Sequence, residues 1–513
     1  MELISPMSEF TTNLHVIGRW ITERARQTPI RSAIEFNDCT ITYGQLEATS
    51  SQLARALLHY GLSPGDRVAT LTENRPEHVA LFFACAKAGL ILTPLNWRLT
   101  PREIVAQLQT FEPALVCASP SHRPQINEAC DLMANVPTVL DIEDLERELG
   151  PVATTYELPL VADDDGLLII ATSGTTGVPK GVVLTHANCY WTNVGFDLAA
   201  PMGGDDVVLQ VLPQFHVGGW NVQPLLAWWK GATVVLESSF EPERVLDIIE
   251  RRGITTMMGV PATYLLLAHH PRFESADFTS LRRVLVGGAS MPLALIEAWQ
   301  SRNVEVVQGY GLTEASPNVL CLAPEDARSH LGSVGKPYAY VQVALHDNLT
   351  DSFVDGEGRG EIYVKGPNVF PGYWKNPAAT SATFDDGWLR TGDVAERDVA
   401  GYYRICGRAK EMFISGGENV YPAEVEQVIA AYLDVDDAAV VAIEHPRWGE
   451  TGIAFVVSKY DATLDIDKLT EHCRTSLAPY KVPSQFRVLS ELPRTPVGKV
   501  DRIRLTDLAN NHS

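Results

Sequence analysis

The strongest chemical signal in the sequence is a segment at residues 171–181, which reads ATSGTTGVPKG. Its glycines allow tight turns, its hydroxyl groups can donate to phosphate oxygens, and Lys180 supplies positive charge. Because a buried strand is predicted directly before it, at residues 167–170, we expect this segment to bind a polyphosphate. A surface turn rich in serine and threonine is the alternative, and the spacing of its glycines and lysine does not match a P-loop.

A second segment, QGYGLTE at residues 308–314, also follows a predicted buried strand. Ligands bind at the carboxyl ends of parallel strands in open α/β sheets. Tyr310 lies between two glycines and could stack on a purine, while Thr313 could bond to a phosphate and Glu314 could hold Mg²⁺. Taken alone, a Gly-Tyr-Gly sequence is more often a structural turn.

Three shorter segments carry single polar residues on glycine or proline turns. Asp393, in RTGD, is suited to accept hydrogen bonds from ribose hydroxyls, and Arg408, in GRAK, can donate to a phosphate or a ribose. Lys499 belongs to PRTPVGK, near the end of the chain. Each of these residues alone is more often a turn aspartate or a solvated cation, so they indicate a site only in combination.

The elements that must position these residues have the pattern of an α/β protein. Continuous apolar runs alternate with amphipathic helical stretches, which is typical of buried parallel strands joined by crossover helices. The predicted strands of this region are residues 67–72, 91–95, 115–118, 167–171, 207–212, 233–236, 283–287 and 305–308. The predicted helices include residues 43–60, 241–252 and 293–302.

The pattern changes in the later part of the chain. Residues 332–404 have short apolar runs and frequent Gly, Pro and Asp turns, which predict a β-rich subdomain. A small α+β unit follows, with a helix from Pro422, strands at 438–443 and 452–458, a helix near 466–477 and a strand at 485–489. We therefore expect a large N-terminal domain at 1–406 and a small mobile C-terminal domain at 407–513, joined by a tight hinge near Lys410.

Composition and charge restrict the class of protein. With 513 residues, 45% hydrophobic and 20% charged, the chain is typical of a multidomain globular protein. Its 41 Lys and Arg against 63 Asp and Glu give a formal charge of −22, which disfavours binding to nucleic acid and to anionic membranes. The eight cysteines form no C-x-x-C pair, and no secretory signal or membrane-spanning run is found. We expect a soluble cytoplasmic protein.

Together the segments TSGTTGVPKG, QGYGLTE, RTGD, GRAKEMFISGGENVYPAEVE and PRTPVGK resemble the adenylate-forming superfamily of acyl-CoA synthetases, peptide-synthetase adenylation domains and luciferases. The resemblance covers nearly the whole chain and implies ATP, Mg²⁺ and coenzyme A as cofactors. It implies that Tyr310 stacks on adenine and that Asp393 binds the ribose. It also makes Arg408 a nucleotide contact and Lys499 the lysine essential for adenylation. The further positions that it assigns to nucleotide or metal binding are Thr172, Ser173, Gly174, Thr175, Thr176, Gly177, Lys180, Gly287, Gly288, Ala289, Gln308, Gly309, Gly311, Thr313 and Glu314, with Thr172 and Glu314 as metal ligands.

The resemblance implies two half-reactions that use different residues. Attack of a carboxylate on the α-phosphorus of ATP brings two anions together, so Mg²⁺, Lys499 and the hydroxyl-rich loop must disperse charge. The thiolate of CoA then attacks the acyl-adenylate, a step that does not need Lys499. For that step the resemblance implies rotation of the small domain about Lys410. The residues that it places along the path of CoA are Gly416, Gly417, Trp448 and Tyr480.

The acid is suggested by the segment LPQFHVGGW. His216 occupies the place where peptide-synthetase adenylation domains carry an Asp that pairs with an α-amino group, so an amino acid is not expected as substrate, and His216 is a candidate catalytic residue. Trp220 is the candidate acid-selecting residue, and an ordinary core tryptophan is the alternative. The other candidate substrate contacts are Gly309 and Ala315.

We expect an AMP-forming acid:CoA ligase that acts on a medium- or long-chain fatty acid, with an aryl or cinnamic-type acid as the second candidate. Its partners would then be a small carboxylic acid and CoA, with no nucleic acid and no integral membrane segment, and a homodimer is one option. An acyl-AMP ligase that loads a carrier protein and a non-catalytic nucleotide-binding regulator remain as alternatives.

Overall fold

The computed structural model of the protein describes residues 13–150, 152–154, 156–172, 179–348, 350–415, 418–445, 449–459, 464–495 and 498–510. Its strands are, in chain order, β1 (Ser32–Phe36), β2 (Cys39–Thr42), β3 (Arg67–Leu71), β4 (Ile91–Pro94), β5 (Leu115–Ala118), β6 (Thr138–Asp141), β7 (Gly166–Thr172), β8 (Lys180–Thr185), β9 (Val207–Gln210), β10 (Thr233–Leu236), β11 (Thr256–Gly259), β12 (Arg283–Val286), β13 (Glu305–Gly311), β14 (Asn318–Cys321), β15 (Lys336–Pro337), β16 (Gln342–Asp347), β17 (Ser352–Phe353), β18 (Gly358–Lys365), β19 (Gly372–Tyr373), β20 (Phe384–Asp385), β21 (Trp388–Arg397), β22 (Tyr403–Arg408), β23 (Phe413–Ser415), β24 (Glu418–Val420), β25 (Val435–His445), β26 (Gly449–Ser458) and β27 (Gln485–Leu489).

Helices connect most of these strands. They are α1 (Gly18–Gln27), α2 (Tyr43–His59), α3 (Pro76–Ala88), α4 (Pro101–Phe111), α5 (Arg123–Asp131), α6 (Leu145–Leu149), α7 (His186–Ala199), α8 (Gly218–Asn221), α9 (Pro224–Lys230), α10 (Pro242–Arg252), α11 (Pro261–Ala268), α12 (Leu293–Ser301), α13 (Pro377–Thr383), α14 (Pro422–Ala430), α15 (Ile466–Ser476) and α16 (Arg502–Asn510). Short 3-10 turns occur at Thr313–Ala315, Pro324–Asp326 and Ala409–Glu411. Among the described helices none is long and apolar enough to cross a membrane.

Two mainly parallel sheets form the body of the large domain. One has the strand order β15-β14-β13-β12-β11-β9-β10-β1-β2, and the other has the order β19-β8-β7-β4-β3-β5-β6. The inner strands pair in parallel, and antiparallel strands are added at the edges. Strands β4 and β5 are buried at every position, as continuous apolar runs require. The predicted α/β class is confirmed.

Strand β13 is longer than the sequence predicts, and the difference matters for the site. The predicted strand ends at Gln308, but β13 continues to Gly311 because residues 309–311 pair antiparallel with β14. A Cβ atom on Gly311 would lie 1.7 Å from the carbonyl oxygen of Pro317, so only glycine fits there. The GYG segment is therefore strand rather than turn.

The third sheet is antiparallel and follows in the chain. Its order is β17-β16-β18-β21-β20, with β22 paired to β21. It corresponds to the predicted β-rich subdomain at 332–404. The predicted boundary after residue 406 falls inside β22, because this strand stays paired with β21 as far as Arg408. The chain leaves the sheet through the 3-10 turn that contains Lys410.

The small C-terminal domain is built on a fourth sheet of order β24-β23-β26-β25, with β27 joined to β26 in parallel. Side chains alternate along β25, so Val440 packs with Leu469 of α15 on one face. On the other face Val441 packs with Leu505 of α16. The small domain therefore has its own core, as the α+β pattern predicts.

Candidate active site

The carboxylate of Asp393 connects the segments that the sequence singled out for nucleotide binding. Its Oδ2 accepts a hydrogen bond of 2.7 Å from the Tyr310 hydroxyl, and its Oδ1 pairs with Nε of Arg408 at 2.7 Å. Tyr310 lies on β13, while Asp393 and Arg408 are paired positions on β21 and β22. Residues from separate parts of the sequence thus form one polar cluster.

A tight turn at Gly392 aims Asp393 into this cluster. Gly392 has a φ angle of 71°, a region that side chains disfavour, and its N–H donates to Oε1 of Glu361 at 3.2 Å. The Thr391 hydroxyl donates to the carbonyl oxygen of Ile362 at 2.8 Å and accepts the N–H of Asp393 at 3.1 Å. These bonds fix the backbone on both sides of the glycine, so the carboxylate has a defined direction.

Burial shifts the pKa values of the cluster. It raises the pKa of Asp393 above its ordinary value, and the positive charge of Arg408 opposes that rise. It also raises the pKa of Tyr310 well above its ordinary value, with a contribution from the negative charge of Asp393. Tyr310 therefore stays a hydrogen-bond donor, and the ion pair with Arg408 favours the ionised form of Asp393.

A second cluster surrounds Glu314, in the 3-10 turn that directly follows β13 and also carries Thr313. The Tyr373 hydroxyl donates to Oε1 of Glu314 at 2.8 Å, and burial raises the pKa of Tyr373. Nζ of Lys180 lies 4.9 Å from the centroid of the same ring. Thr172 faces Lys180 across β7 and β8, and its hydroxyl donates to the carbonyl oxygen of Lys180 at 3.4 Å. The predicted phosphate contacts between these strands lie outside the described residues; they are Ser173, Gly174, Thr175, Thr176 and Gly177.

The oxygen atoms of this cluster suit a hard divalent cation. Carboxylate, hydroxyl, phosphate and water oxygens are the ligands that Mg²⁺ prefers. Of the described residues, only Tyr373 bonds to the Glu314 carboxylate, and it does so at Oε1, so Oε2 can act as a ligand. No group of three or more His, Cys, Asp and Glu side chains in the described part of the chain could hold a metal by itself. A Mg²⁺ ion at Glu314 would therefore need phosphate or water oxygens to complete its coordination.

Lys499, from the small domain, acts electrostatically on the Asp393 cluster. Its loop is held in place because Arg494 pairs with Asp437 at 2.6 Å and the N–H of Thr495 donates to the carbonyl oxygen of Lys499 at 2.7 Å. The charge of Lys499 is one of those that oppose the rise in the pKa of Asp393. It thus lies within electrostatic range of the Asp393 carboxylate.

His216 is accessible to solvent, but its surroundings keep it neutral. Protein atoms packed around the ring remove part of its hydration and, together with the positive charges of Lys499 and Arg98, lower the pKa of His216 to about 4. Arg98 lies over the rings of Trp97 and Phe215, at 4.8 and 5.5 Å from their centroids, and Phe215 packs on His216. Arg98 and Trp97 were missed by the sequence analysis, although the segment NWRL follows a predicted strand end just as the recognised motifs do.

Two of the predicted substrate contacts do not reach an open surface. Trp220 is 0% exposed, stacks on Phe82 with centroids 4.6 Å apart, and donates through Nε1 to the carbonyl oxygen of Gln214 at 2.6 Å. Ala315 is also 0% exposed, and its carbonyl oxygen accepts a hydrogen bond from Asn368. Close packing leaves neither side chain free surface in this structure, and their assignment as substrate contacts stays a prediction.

The predicted glycine contacts lie at the ends of neighbouring strands. Gly287, Gly288 and Ala289 directly follow β12, and Gly288 has a φ angle of 81°. Gly309 lies on β13, half-buried beside them. Gln308 is buried at 4% exposure, and its amide bonds to Ser333 and Met291, which makes it a structural link between these segments.

The remaining predicted residues belong to the small domain and its connection. Lys410 is exposed in the 3-10 turn after β22. Tyr480 is half-buried and packs against the core of the small domain. The predicted CoA contacts Gly416, Gly417 and Trp448 lie outside the described residues.

The fold is that of an adenylate-forming enzyme. It is similar to the structure of o-succinylbenzoate–CoA synthetase from Bacillus subtilis in complex with ATP and magnesium ion, with a TM-score of 0.85 and 32% identity over 95% of this chain and 99% of that one. The chain belongs to the AMP-binding enzyme family, whose model matches residues 21–374, and the model of the AMP-binding enzyme C-terminal domain matches residues 424–499.

Curated relatives of this chain are CoA ligases. It is 39% identical to feruloyl-CoA synthase from Amycolatopsis sp. over 94% of this chain and 97% of the relative. It is 38% identical to indoleacetate–CoA ligase from Aromatoleum aromaticum, over 94% and 96%. A long-chain-fatty-acid–CoA ligase from Mycobacterium tuberculosis is 35% identical, over 94% and 96%. The acid–thiol ligase predicted from the motifs is confirmed.

Proposed function

We propose that this enzyme activates an aromatic or aryl-substituted carboxylic acid and transfers the acyl group to coenzyme A. The observation that carries the proposal is its likeness to a feruloyl-CoA synthase and an indoleacetate–CoA ligase, at 39% and 38% identity along 94% of the chain. Both names specify acids with an aromatic ring. The fatty acid favoured from the sequence becomes the second candidate, supported by 35% identity to a long-chain-fatty-acid–CoA ligase.

The packing of Trp220 supports this preference. A tryptophan that gates a tunnel for a long acyl chain must be able to leave its position. Trp220 is instead held between Phe82, stacked at 4.6 Å, and His78, in edge contact at 5.1 Å. Removing a buried aromatic side chain from such packing costs several kcal/mol, about 3–5 on removal of the ring. A compact acid body requires no such displacement.

The resemblance assigns Gly287 and Gly288 to the nucleotide, and we propose that they also border the acid, because the side chains beside them are apolar. A Cβ atom on Gly287 would lie 2.9 Å from Cε of Met258, and one on Gly288 would lie 3.6 Å from Cγ1 of Val260. Glycine at these positions leaves a flat backbone surface against which an aromatic ring can lie. An apolar acid body is therefore favoured over one with a second charged group.

In this proposal the two clusters bind ATP. Asp393 accepts the ribose hydroxyls, Arg408 supports it, and Tyr310 lies against the adenine. Lys180 and Thr172 contact the phosphates, and a bound Mg²⁺ ion would neutralise phosphate charge, which would allow the carboxylate of the acid to approach. Glu314 would hold that ion through its free oxygen.

His216 and Lys499 act at the acid. With a pKa of about 4, His216 is neutral at pH 7, so it offers a hydrogen bond to the acid carboxylate without an ionic pair. The positive charge needed to attract and align that carboxylate comes from Lys499. Because Lys499 lies within electrostatic range of both His216 and Asp393, it is positioned to stabilise the negative charge that develops when the carboxylate attacks the α-phosphorus and pyrophosphate leaves.

The second half-reaction requires the small domain to move. We place the pivot at Lys410, which is exposed in the short turn after β22 and lies between the third sheet and the sheet of the small domain. Residues 1–406, with the rest of β22, then form the static part, and the chain after the turn forms the mobile part. Rotation there would withdraw Lys499 and bring the segment with Gly416 and Gly417 to the acyl-adenylate.

The test is a panel of acids with the purified protein, containing ferulic acid, indole-3-acetic acid, benzoic acid, octanoic acid and palmitic acid. Acid-dependent pyrophosphate release with CoA is measured together with the thioester product. We expect kcat/KM for one of the ring-containing acids to exceed that for palmitate by about 10-fold or more. A preference for palmitate would return the fatty acid to first place.

One control and one alternative outcome belong to the panel. A Lys499→Ala preparation measures activity from contaminating ligases. Rapid AMP release that needs a carrier protein and yields no CoA thioester would instead identify an enzyme that loads carrier proteins.

A further inference from the structure

The segment that leads into β19 holds Glu314 at two points. The N–H of Phe370 donates to the backbone carbonyl oxygen of Glu314 at 2.9 Å, and the Tyr373 hydroxyl donates to Oε1 of its side chain at 2.8 Å. One short stretch of chain thus fixes both the backbone and the carboxylate of this residue. Phe370 is 2% exposed, so the stretch is anchored in the core.

The Tyr373 ring also lies near the lysine of the phosphate-binding loop. Nζ of Lys180 is 4.9 Å from its centroid, within the range of a cation–π interaction. The backbone of Tyr373 is fixed, because it pairs with Val182 of β8 and its N–H donates to the hydroxyl of Thr380 at 2.9 Å. Its ring packs edge-on against Phe370, with centroids 4.9 Å apart. Tyr373 therefore contacts a carboxylate with its hydroxyl and an ammonium group with its face.

We propose that Tyr373 is a positioning residue for adenylation, which orients the Glu314 carboxylate towards Mg²⁺ and holds the Lys180 ammonium group in place for the ATP phosphates. The proposal rests on the proposed function, in which Glu314 holds Mg²⁺ and Lys180 contacts the phosphates. Neither contact reaches the substrates directly. The hydroxyl occupies Oε1 of Glu314 and leaves Oε2 free, so the free oxygen has a fixed direction.

The two contacts of Tyr373 can be removed separately. Tyr373→Phe keeps the ring and its contact with Lys180 but loses the hydrogen bond to Glu314. Tyr373→Leu loses both. Tyr60→Phe is the matched control, because Tyr60 is 44% exposed at the end of α2, in a part of the fold that contributes nothing to the site.

The primary measurement is cation affinity rather than activity. Mn²⁺ replaces Mg²⁺, and its binding to the protein with a non-hydrolysable ATP analogue is followed through the EPR signal of the free ion. Partners of metal ligands typically contribute about 10- to 100-fold to metal affinity, so Tyr373→Phe should raise the Kd for Mn²⁺ by about 10-fold. Tyr373→Leu should in addition raise the KM for ATP. Tyr60→Phe should match the wild type.

A second measurement separates positioning from damage to the fold. Thioester formation from supplied acyl-adenylate needs neither Mg²⁺ nor the ATP phosphates, so it should stay within about 2-fold of wild type in Tyr373→Phe. An unchanged Kd for Mn²⁺ in this variant would overturn the inference, and so would an equal loss of both half-reactions. If the wild type forms no acyl-adenylate from any acid, the proposed function fails, whereas failure of the inference appears only in the variants.

Discussion

Replacement of Asp393 by Asn tests the polar cluster on which the proposed nucleotide site depends. The substitution preserves the shape of the side chain but removes its charge and one of its two acceptor oxygens. The Tyr310 hydroxyl and Nε of Arg408 donate to different oxygens, each at 2.7 Å. One of these donors must therefore face an amide NH₂ group in the variant, and the ribose hydroxyls lose an anionic acceptor.

The contacts set the expected magnitude. A hydrogen bond to a charged group contributes about 1.5–3 kcal/mol. The Arg408 side chain is 43% exposed, so solvent screening reduces its share, while the Asp393 side chain is only 9% exposed. Loss of one such bond to the ribose corresponds to a rise in the KM for ATP of about 10- to 100-fold. The free energy of unfolding should change less than the binding of ATP. A neutral Asn avoids the cost of burying a charged carboxylate, the same cost that raises the pKa of Asp393.

The assay is acid-dependent exchange of pyrophosphate into ATP, with ATP titrated at several pH values. The raised pKa means that Asp393 takes up a proton at higher pH than an exposed aspartate, and protonation removes an acceptor. The KM for ATP of the wild type should therefore rise as the pH falls towards that pKa, whereas the KM of the variant should stay flat.

The matched control is Asp398→Asn. Asp398 lies in the same sheet region, and its Oδ1 accepts the N–H groups of Ala400 and Tyr402, each at 2.9 Å, a role that an Asn oxygen can keep. A folded Asp393→Asn protein with the KM for ATP of the wild type would refute the assignment of Asp393 to the ribose. A pH profile parallel to that of the wild type would refute it as well.

Other substitutions separate the two half-reactions and the acid pocket. Lys499→Ala should lower adenylation by about 100-fold or more yet leave thioester formation from supplied acyl-adenylate nearly intact, and an equal loss of both rates would exclude the role assigned to Lys499. Lys410→Pro should impair the thioester step more than pyrophosphate exchange, because it fixes the backbone at the pivot, and the opposite order would argue against a hinge there. Trp220→Ala should lower the free energy of unfolding in urea by about 3–5 kcal/mol and leave the acid preference unchanged, since Trp220 is buried in the core. A shift towards longer acids at unchanged stability would instead place Trp220 at the pocket.

The strands that the sequence predicted well are those buried on both faces. The structure has β3 at Arg67–Leu71, β5 at Leu115–Ala118 and β10 at Thr233–Leu236, each within one residue of its prediction. Such strands are continuous runs of apolar residues, so their first and last residues can be predicted from the local sequence. Strand β19 was not predicted, because Gly372 and Tyr373 become a strand only by pairing with β8. Pairing between distant segments leaves no periodic signal in so short a stretch.

The same contrast holds for the candidate site. Tyr310, Asp393 and Arg408 could be selected from the sequence because each lies in a short glycine-containing motif, and the structure brings them into contact. Tyr373 and Arg98 could not, since their significance comes from what they touch. Tyr373 lies between Glu314 and Lys180 only because β19 pairs with β8. The charge of Arg98 lowers the pKa of His216 only because folding brings these two distant residues together.

The charge at the candidate site differs from the average charge of the protein. A chain with a formal charge of −22 repels polyanions on average. Many of its arginines and lysines form ion pairs with carboxylates, such as Arg75 with Glu143, Arg272 with Asp247 and Arg502 with Glu426. Lys180, Arg98 and Lys499 do not: within the described ranges, none of them forms an ion pair with a carboxylate, and Lys180 and Arg98 lie against aromatic rings. A ring holds a cation in place without neutralising it. In the proposed function, unpaired positive charge therefore lies where ATP and a carboxylate meet, although the formal charge of the chain is negative.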